Sequence, residues 1–340
     1  MKLLVIRFSS IGDIVFTTPV LRCLKQQLPG AELHFLTKEK FKSVTIHNPY
    51  IDKFFYYNSN LGELKKQLKK ENYDYIIDLH KNPRSFMIRM ALRKKTYSYR
   101  KLTLQKLILT RLHIDWMPKK HIVTRNLETV TPLGVKDDGD GLEYFITAAE
   151  EVDLSSILLS PTKKFIAIVI GGSYYTKKLP VTKLKELCSK LSQPIILVGG
   201  KEDEKEGKEI SEVDPARIFN SCGKFSLNQS ADIVRKAAVV ISHDTGLQYI
   251  ACAYNKPVLA MWGGTSPKLA VEPYYGTKQQ EQFTYKNFIV EGLSCQPCSK
   301  FGTHKCPRGH FKCMRLQDLA AIRQTADLLW NTYHLPQIDR

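Results

Sequence analysis

AVVISHDTGLQYIACAYNKPVLAMWGG, residues 238–264, sets two apolar runs, AVVISH and PVLAMW, on either side of a helix-length stretch that opens at Asp244-Thr245-Gly246. Each run has the length and composition of a buried strand. Strand, helix, strand at this spacing is a βαβ unit, whose crossover joins parallel neighbours. Unpaired backbone N–H groups at the start of that helix, with the positive end of its dipole, suit a phosphate. Thr245 can add a hydroxyl, and Gly246 lets a ligand approach the backbone. The same residue types are also favoured as plain helix caps.

Working outward, the pattern repeats. FIAIVI (165–170) reads as a strand and runs into the loop GGSYYTKKLP (171–180), followed by a helix from Val181, the strand PIILVGG (194–200) and helices near 203–211 and 226–237. Upstream, KLLVIR (2–7), AELHFLT (31–37), DKFFYY (52–57) and YDYIIDLH (73–80) alternate with helices over 13–28 and 61–71, and residues 84–132 read as mainly helical and basic. The pattern fades between Leu133 and Pro161, through VKDDGDG, which reads as a crossing between domains. The expectation is α/β: a Rossmann-like domain over 1–155, a second over 160–315, and a C-terminal helix within 316–340 that packs back on the first. Ligands of such sheets bind outside the carboxyl ends of the strands, so a cleft between two facing domains is the expected site.

Composition narrows the function classes. At 340 residues and 43% hydrophobic, the chain is long and apolar enough for two cores. No apolar run approaches the ~20 residues that cross a bilayer, and the N-terminal run Leu3 to Ile6 is too short for a signal peptide, so a cytoplasmic location is expected. The net charge of +18 favours an anionic partner or a solvated basic surface. Cys23, Cys188, Cys222 and Cys252 stand singly among apolar residues as small buried hydrophobes. Cys295, Cys298, Cys306 and Cys313 cluster near His304 and His310. Their spacing suits either a structural zinc or a set of reduced thiols packing a lid.

Three further stretches carry candidate chemistry. In GGSYYTKKLP, Gly172 and Ser173 give a permissive turn at a strand end, and Lys177 is placed to reach a diphosphate and stabilise its departure, or else is a solvent-facing lysine. In RFSSIGDIVFTTPVL (7–21), Asp13 can cap the helix or act as a general base, with Ser10 and Gly12 in the turn. In HKNPR (80–84), His80, Lys81, Asn82 and Arg84 follow a strand, and Arg84 can pair bidentately with a phosphate or carboxylate.

Together, IRFSSIGDIVFTTPVL, DLHKNPRS (78–85), the GG-Ser…Lys177 loop, GKFSL (223–227), DTG with KPV and WGGTSP (244–267) and the late CxPC…CP…GH…C segment resemble the bacterial heptosyltransferases, glycosyltransferase family 9 of lipopolysaccharide core assembly. The resemblance implies a GT-B fold and an inverting transfer of heptose or a related sugar from an ADP-sugar to an acidic, lipid-linked inner-core acceptor. It implies peripheral contact with the cytoplasmic face of the inner membrane and no cofactor for catalysis. Residue by residue, it implies Asp13 as base, with Ser173, Lys177, Asp244, Thr245 and Gly246 on the donor, Phe225 beside the nucleobase, and Asp203 or Glu204 on the ribose. Acceptor contacts would fall on Ser10, His80, Lys81, Asn82 and Arg84. One position departs from the family pattern DTGxxH: Tyr249 stands where the family has histidine, so a phenol replaces an imidazole at the donor diphosphate.

Two rival readings remain. Another nucleotide-dependent Rossmann enzyme, such as a dehydrogenase, would share the βαβ units, but no GxGxxG follows the first strand. A zinc-stapled nucleic-acid-binding protein would use the basic surface, but no aromatic-basic RNA motif is present; the expectation is that no nucleic acid binds.

Overall fold

The computed structural model describes residues 1–157, 164–278 and 284–332. Two compact units are present, one built mainly from Met1–Leu102 and Lys119–Phe145, the other from Thr103–Pro118, Ile146–Tyr275 and the C-terminal residues. The expected start of the second domain at 160 lies outside the described residues.

The first unit holds a parallel sheet of β1 (Lys2–Ile6), β2 (Glu32–Lys38), β3 (Lys53–Tyr57), β4 (Tyr75–Asp78) and β5 (Lys95–Ser98), in the order β3-β2-β1-β4-β5. Leu3, Leu4, Val5 and Ile6 are fully buried, because helices cover both faces of such a sheet and every side chain must be apolar. The expected first helix is two: Ile11–Val15 and Thr18–Gln27, the second with Pro19 in its first turn, where a missing N–H costs nothing. Segment 84–132 is less helical than its composition suggests, since β5 is carved out of it.

In the second unit a sheet of six parallel strands runs β11-β10-β9-β6-β7-β8, with β6 (Ile166–Val169), β7 (Ile195–Val198), β8 (Ile218–Asn220), β9 (Val239–His243), β10 (Val258–Met261) and β11 (Tyr285–Phe288). The helix Leu319–Thr332 lays Ile322, Ala326 and Leu329 into this unit's core. That corrects the expectation that it returns to the first domain: its apolar face matches the side of the sheet carrying the helix Val181–Lys190.

Both sheets reverse their winding once, between β1 and β4 in the first and between β6 and β9 in the second. Such switch points are where adjacent loops splay apart and admit a ligand. The loops there are the ones the sequence marks: 7–13 and 79–84 in the first unit, 171–178 and 244–246 in the second.

Residues 136–143, expected as part of a linker, are clipped to the first unit. Arg22, 4% exposed, donates from Nε and Nη2 to Asp138 at 2.6 and 2.8 Å, from Nη1 to Glu143 at 2.7 Å and from Nη2 to the Gly141 carbonyl at 3.0 Å. Burial alone would raise the Asp138 carboxyl, but the guanidinium outweighs it and holds the group at about 2. Arg22→Met leaves two carboxylates facing a buried apolar side chain and is expected to cost about 3 kcal/mol in urea unfolding at pH 7. Because the folded pKa is depressed, the part of that difference due to Asp138 is complete above its ordinary value and should shrink as pH falls from 4 toward 2.

Candidate active site

At the first switch point, Arg7 places a charge directly after β1, whose residues Leu3 to Ile6 are all apolar. Its guanidinium is 5% exposed, and such a group needs an anionic partner. It pairs with Asp13 (Nη2 to Oδ1, 2.5 Å), donates to the Leu79 carbonyl and, through Nε, to the Ser9 carbonyl at 3.0 Å, and lies under the Tyr99 ring. One side chain therefore ties the loop after β1 to the loop after β4.

Ser10, not Asp13, is the N-cap of the helix Ile11–Val15; Asp13 sits in its first turn and accepts at Oδ2 from the Ser10 amide and hydroxyl, each at 3.0 Å. Its carboxylate remains 29% exposed. Burial opposes the charge, but Arg7 and the Ser10 hydrogen bonds prevail and hold the carboxyl below its usual range. The site thus offers an oriented, ionised carboxylate.

Around it, Asp78 accepts from the amides of His80 (3.1 Å) and Lys81 (2.7 Å), and so shapes the turn HKN. Burial, and then the charge of Arg7, push His80 down to about 3, so it is a neutral imidazole able to hydrogen-bond but not to attract an anion by charge. Its Nδ1 is buried with no protein partner. Asn82 caps the helix Pro83–Leu92 by accepting from the Ser85 amide at 2.9 Å, so its oxygen is committed to the backbone. Arg84 is exposed, its guanidinium over the Tyr57 ring at 5.4 Å.

At the second switch point, the helix Gly246–Ala253 begins with Thr245 as N-cap, yet the Thr245 side chain makes no capping bond and its hydroxyl is buried without a protein partner. The helix start therefore keeps both its free N–H groups and an unengaged hydroxyl. Asp244 is no cap; it is buried, and its Oδ2 meets the Lys177 ammonium at 2.7 Å and accepts from the Thr265 hydroxyl at 2.8 Å. Lys177 also donates to the Asp244 carbonyl at 2.9 Å. The Tyr249 hydroxyl lies 2.8 Å from both Asp244 Oδ1 and the Val271 carbonyl, so its one proton is directed inward.

The loop after β6 closes on the same point. A Cβ on Gly172 would lie 3.5 Å from Thr245 Cγ2, and Ser173 is exposed beside it. Gly171 has no room for a side chain, since a Cβ would fall 2.6 Å from Asp203 Oδ2. Asp203, 1% exposed, pairs with Lys178 at 2.7 Å and accepts from the Gly200 amide at 3.0 Å. It therefore supports the loop from beneath, whereas Glu204 is exposed and close to Gly223 of the GKFSL turn. Phe225 directly precedes Ser226, which caps the helix Leu227–Lys236. His243, held neutral at about 3 by burial and by Lys178, accepts from the Leu179 amide at 2.8 Å.

A family model for glycosyltransferase family 9 (heptosyltransferase) matches residues 61–298, more than half of the chain and inclusive of Lys177 and Thr245. The chain belongs to glycosyltransferase family 9. It is similar to lipopolysaccharide heptosyltransferase 1 of Campylobacter coli, at 25% identity over 294 residues covering 78% of this chain and 84% of the relative. Among solved structures, a family 9 protein from Veillonella parvula matches with a TM-score of 0.76 at 19% identity over 97% of each chain. An E. coli heptosyltransferase with ADP-2-deoxy-2-fluoro heptose matches at 0.68 and 19% identity, over 96% of this chain and 99% of that one. The protein is thus a glycosyltransferase with two parallel-sheet α/β domains, and neither the dehydrogenase nor the nucleic-acid reading is favoured.

The transferase's cysteine segment braces the loop after β6. Thr176 and Thr303 exchange hydrogen bonds (Thr176 amide to Thr303 carbonyl, 3.1 Å; Thr303 amide to Thr176 hydroxyl, 2.8 Å), and the Cys298 amide donates to the Gly264 carbonyl at 3.1 Å. Gly263 packs so closely that a Cβ would fall 2.1 Å from the Thr176 carbonyl oxygen. Cys295 Sγ lies 3.8 Å from His310 Nε2. Burial first, and then the neighbouring cysteines, push the Cys313 thiol up to about 12. Among the described residues, the set of three ligand atoms lying within 4.8 Å of one another is Glu32, His34 and Glu71; no three cysteine sulfurs meet that spacing, although a tetrahedral zinc needs it. The Glu32–His34–Glu71 group is itself neutralised, by Lys2 at 3.2 Å from both glutamates and Lys53 at 2.5 Å from Glu71.

Arg7, Lys178, His243 and Thr265 were not singled out from the sequence. For Arg7 and His243 the legible signal is a charged or polar residue at the end of an apolar strand, which must find a partner. Arg7→Met removes the charge that offsets burial of Asp13. The Asp13 carboxyl, followed by its carbon-13 shift in a pH titration, should titrate below the ordinary aspartate value in the native protein and above it in the variant.

Proposed function

We propose that this protein transfers heptose, with inversion, from ADP-heptose to an acidic saccharide of the lipopolysaccharide inner core, the acceptor being anchored in the cytoplasmic face of a membrane. The observation that carries the reading is the open helix start at Gly246–Ala253: free amides, an unpartnered Thr245 hydroxyl and the Lys177 ammonium converge at a sheet's switch point in a family 9 chain. The heptosyltransferase solved with an ADP-heptose analogue supports the choice of donor.

In this reading the donor diphosphate lies on the helix start, where the dipole and Lys177 stabilise the charge of the leaving ADP. Ser173 and Gly172 line the same pocket. Phe225 borders the adenine, and the exposed Glu204 accepts from the ribose while Asp203 props the loop. Tyr249 orients Asp244 and leaves the phosphate to Thr245 and Gly246. Asp13 takes the proton of the acceptor hydroxyl as that oxygen attacks the anomeric carbon and the bond to ADP breaks. Its depressed pKa makes it a weak but fully ionised base, suited to proton transfer late in a displacement whose electrophile is already cationic in character. Arg84 holds an anionic group of the acceptor, with neutral His80 and Lys81 hydrogen-bonding to its hydroxyls.

Asp13→Asn should lower turnover by about 100-fold or more while calorimetric affinity for ADP-heptose stays unchanged; near-native turnover would remove Asp13 from the mechanism. Lys177→Ala should weaken ADP-heptose binding about 10- to 100-fold, as expected for losing a charged hydrogen bond, with little effect on adenosine. Equal loss for both ligands would mean that the variant damages the fold rather than the phosphate grip.

A further inference from the structure

The helix Thr103–Leu112 and the stretch after it turn apolar side chains outward. Leu104, Leu107, Leu112 and Trp116 are each more than half exposed, with Trp116 at 67%, and Ile114 is nearly so. Leu109 is the helix's buried residue. Leu104, Leu107 and Arg111 follow one another at spacings of three and four, so they share a face of the helix, and the basic charge sits within the apolar stripe. In the sequence from 100 to 120 the basic residues are Arg100, Lys101, Lys106, Arg111, Lys119 and Lys120, against the single acidic residue Asp115.

A cluster of large apolar side chains this exposed calls for a partner. A ten-residue helix rich in leucine and cations, followed closely by an exposed tryptophan, has the makeup of a segment that lies in a lipid–water interface. It cannot cross one: no described helix is long and apolar enough to span a membrane. Leucines enter the acyl boundary, an indole settles at headgroup depth, and lysine and arginine meet anionic phosphates.

We infer that residues 103–116 dock this protein on the surface of an anionic lipid bilayer, with Leu104, Leu107 and Trp116 inserted and Lys106 and Arg111 on the headgroups. The geometry stands by itself; its purpose, delivery of the enzyme to a lipid-linked acceptor, rests on the function proposed above. Charge complementarity selects the bilayer over a second copy of the chain, because two such basic surfaces would repel.

The test is co-sedimentation of the intact protein with vesicles of phosphatidylethanolamine and phosphatidylglycerol (3:1) and with vesicles of phosphatidylcholine alone. Binding should be strong to the first and weak to the second. It should fall more than tenfold in the triple variant Leu104→Ser, Leu107→Ser, Trp116→Ser, and about fivefold for each charge reversed in Lys106→Glu and Arg111→Glu. Thermal melting and turnover on a delipidated, soluble acceptor should be unchanged in both variants. Undiminished vesicle binding by the folded triple variant overturns the inference, as does indifference of the native protein to the anionic lipid. So does a native oligomer, seen by sedimentation velocity, that dissociates in the triple variant. If the triple variant fails to fold, the charge reversals decide on the same criteria. Vesicle binding by a protein that transfers no heptose would sink the transferase reading and leave the docking surface standing.

Discussion

The buried Asp244 carboxylate is the point on which the loops of the second unit depend. It receives a cation from the loop after β6, a hydroxyl from the turn after β10 and a phenol from the helix that follows β9. Withdrawing a carboxylate from water is costly, and only several well-aligned donors offset that cost. Once it is offset, three loops separated by tens of residues share one anchor. The same carboxylate sets the Lys177 ammonium beside the Thr245 helix start.

The first unit solves the equivalent problem with the charges exchanged. There the buried group is a cation, Arg7, and the loop carries the anion, Asp13. Both arrangements sit where the strand order reverses, the place at which a parallel sheet leaves its loops free of one another. The consequence is a division of labour. One unit presents a fixed negative group with exposed Arg84 nearby; the other presents a helix dipole and an ammonium.

The sequence was most legible where burial was most complete. β1, β4, β6, β7, β9 and β10 are covered on both faces, so their apolar runs fall within a residue or two of the observed strands. β5, β8 and β11 escaped notice because they are short and lie at or beside sheet edges, where KTYS, IFN and YKNF need not be uniformly apolar. Asp13, Lys177 and Thr245, proposed above as site residues, are legible because they lie in the loops and helix starts that follow buried strands. What stayed hidden were pairings between distant positions. Arg22 with Asp138, Lys178 with Asp203 and Thr265 with Asp244 join residues 21 to 116 apart, and no local pattern encodes such a match. For the same reason Asp203, adjacent to Glu204 in sequence, turned out to face inward. The C-terminal helix was misplaced because an amphipathic face tells that it must be covered, not by which sheet.

Gly263 shows how far the consequences of one missing carbon can reach. Its backbone is pressed against the Thr176 carbonyl, one residue from Lys177, with the Gly264 amide bonded to that carbonyl at 2.7 Å. No larger residue can be accommodated there without pushing the whole Ser173–Lys177 segment outward. A substitution at this glycine would therefore act at a distance, shifting the loop that carries Lys177 rather than the strand end on which it falls.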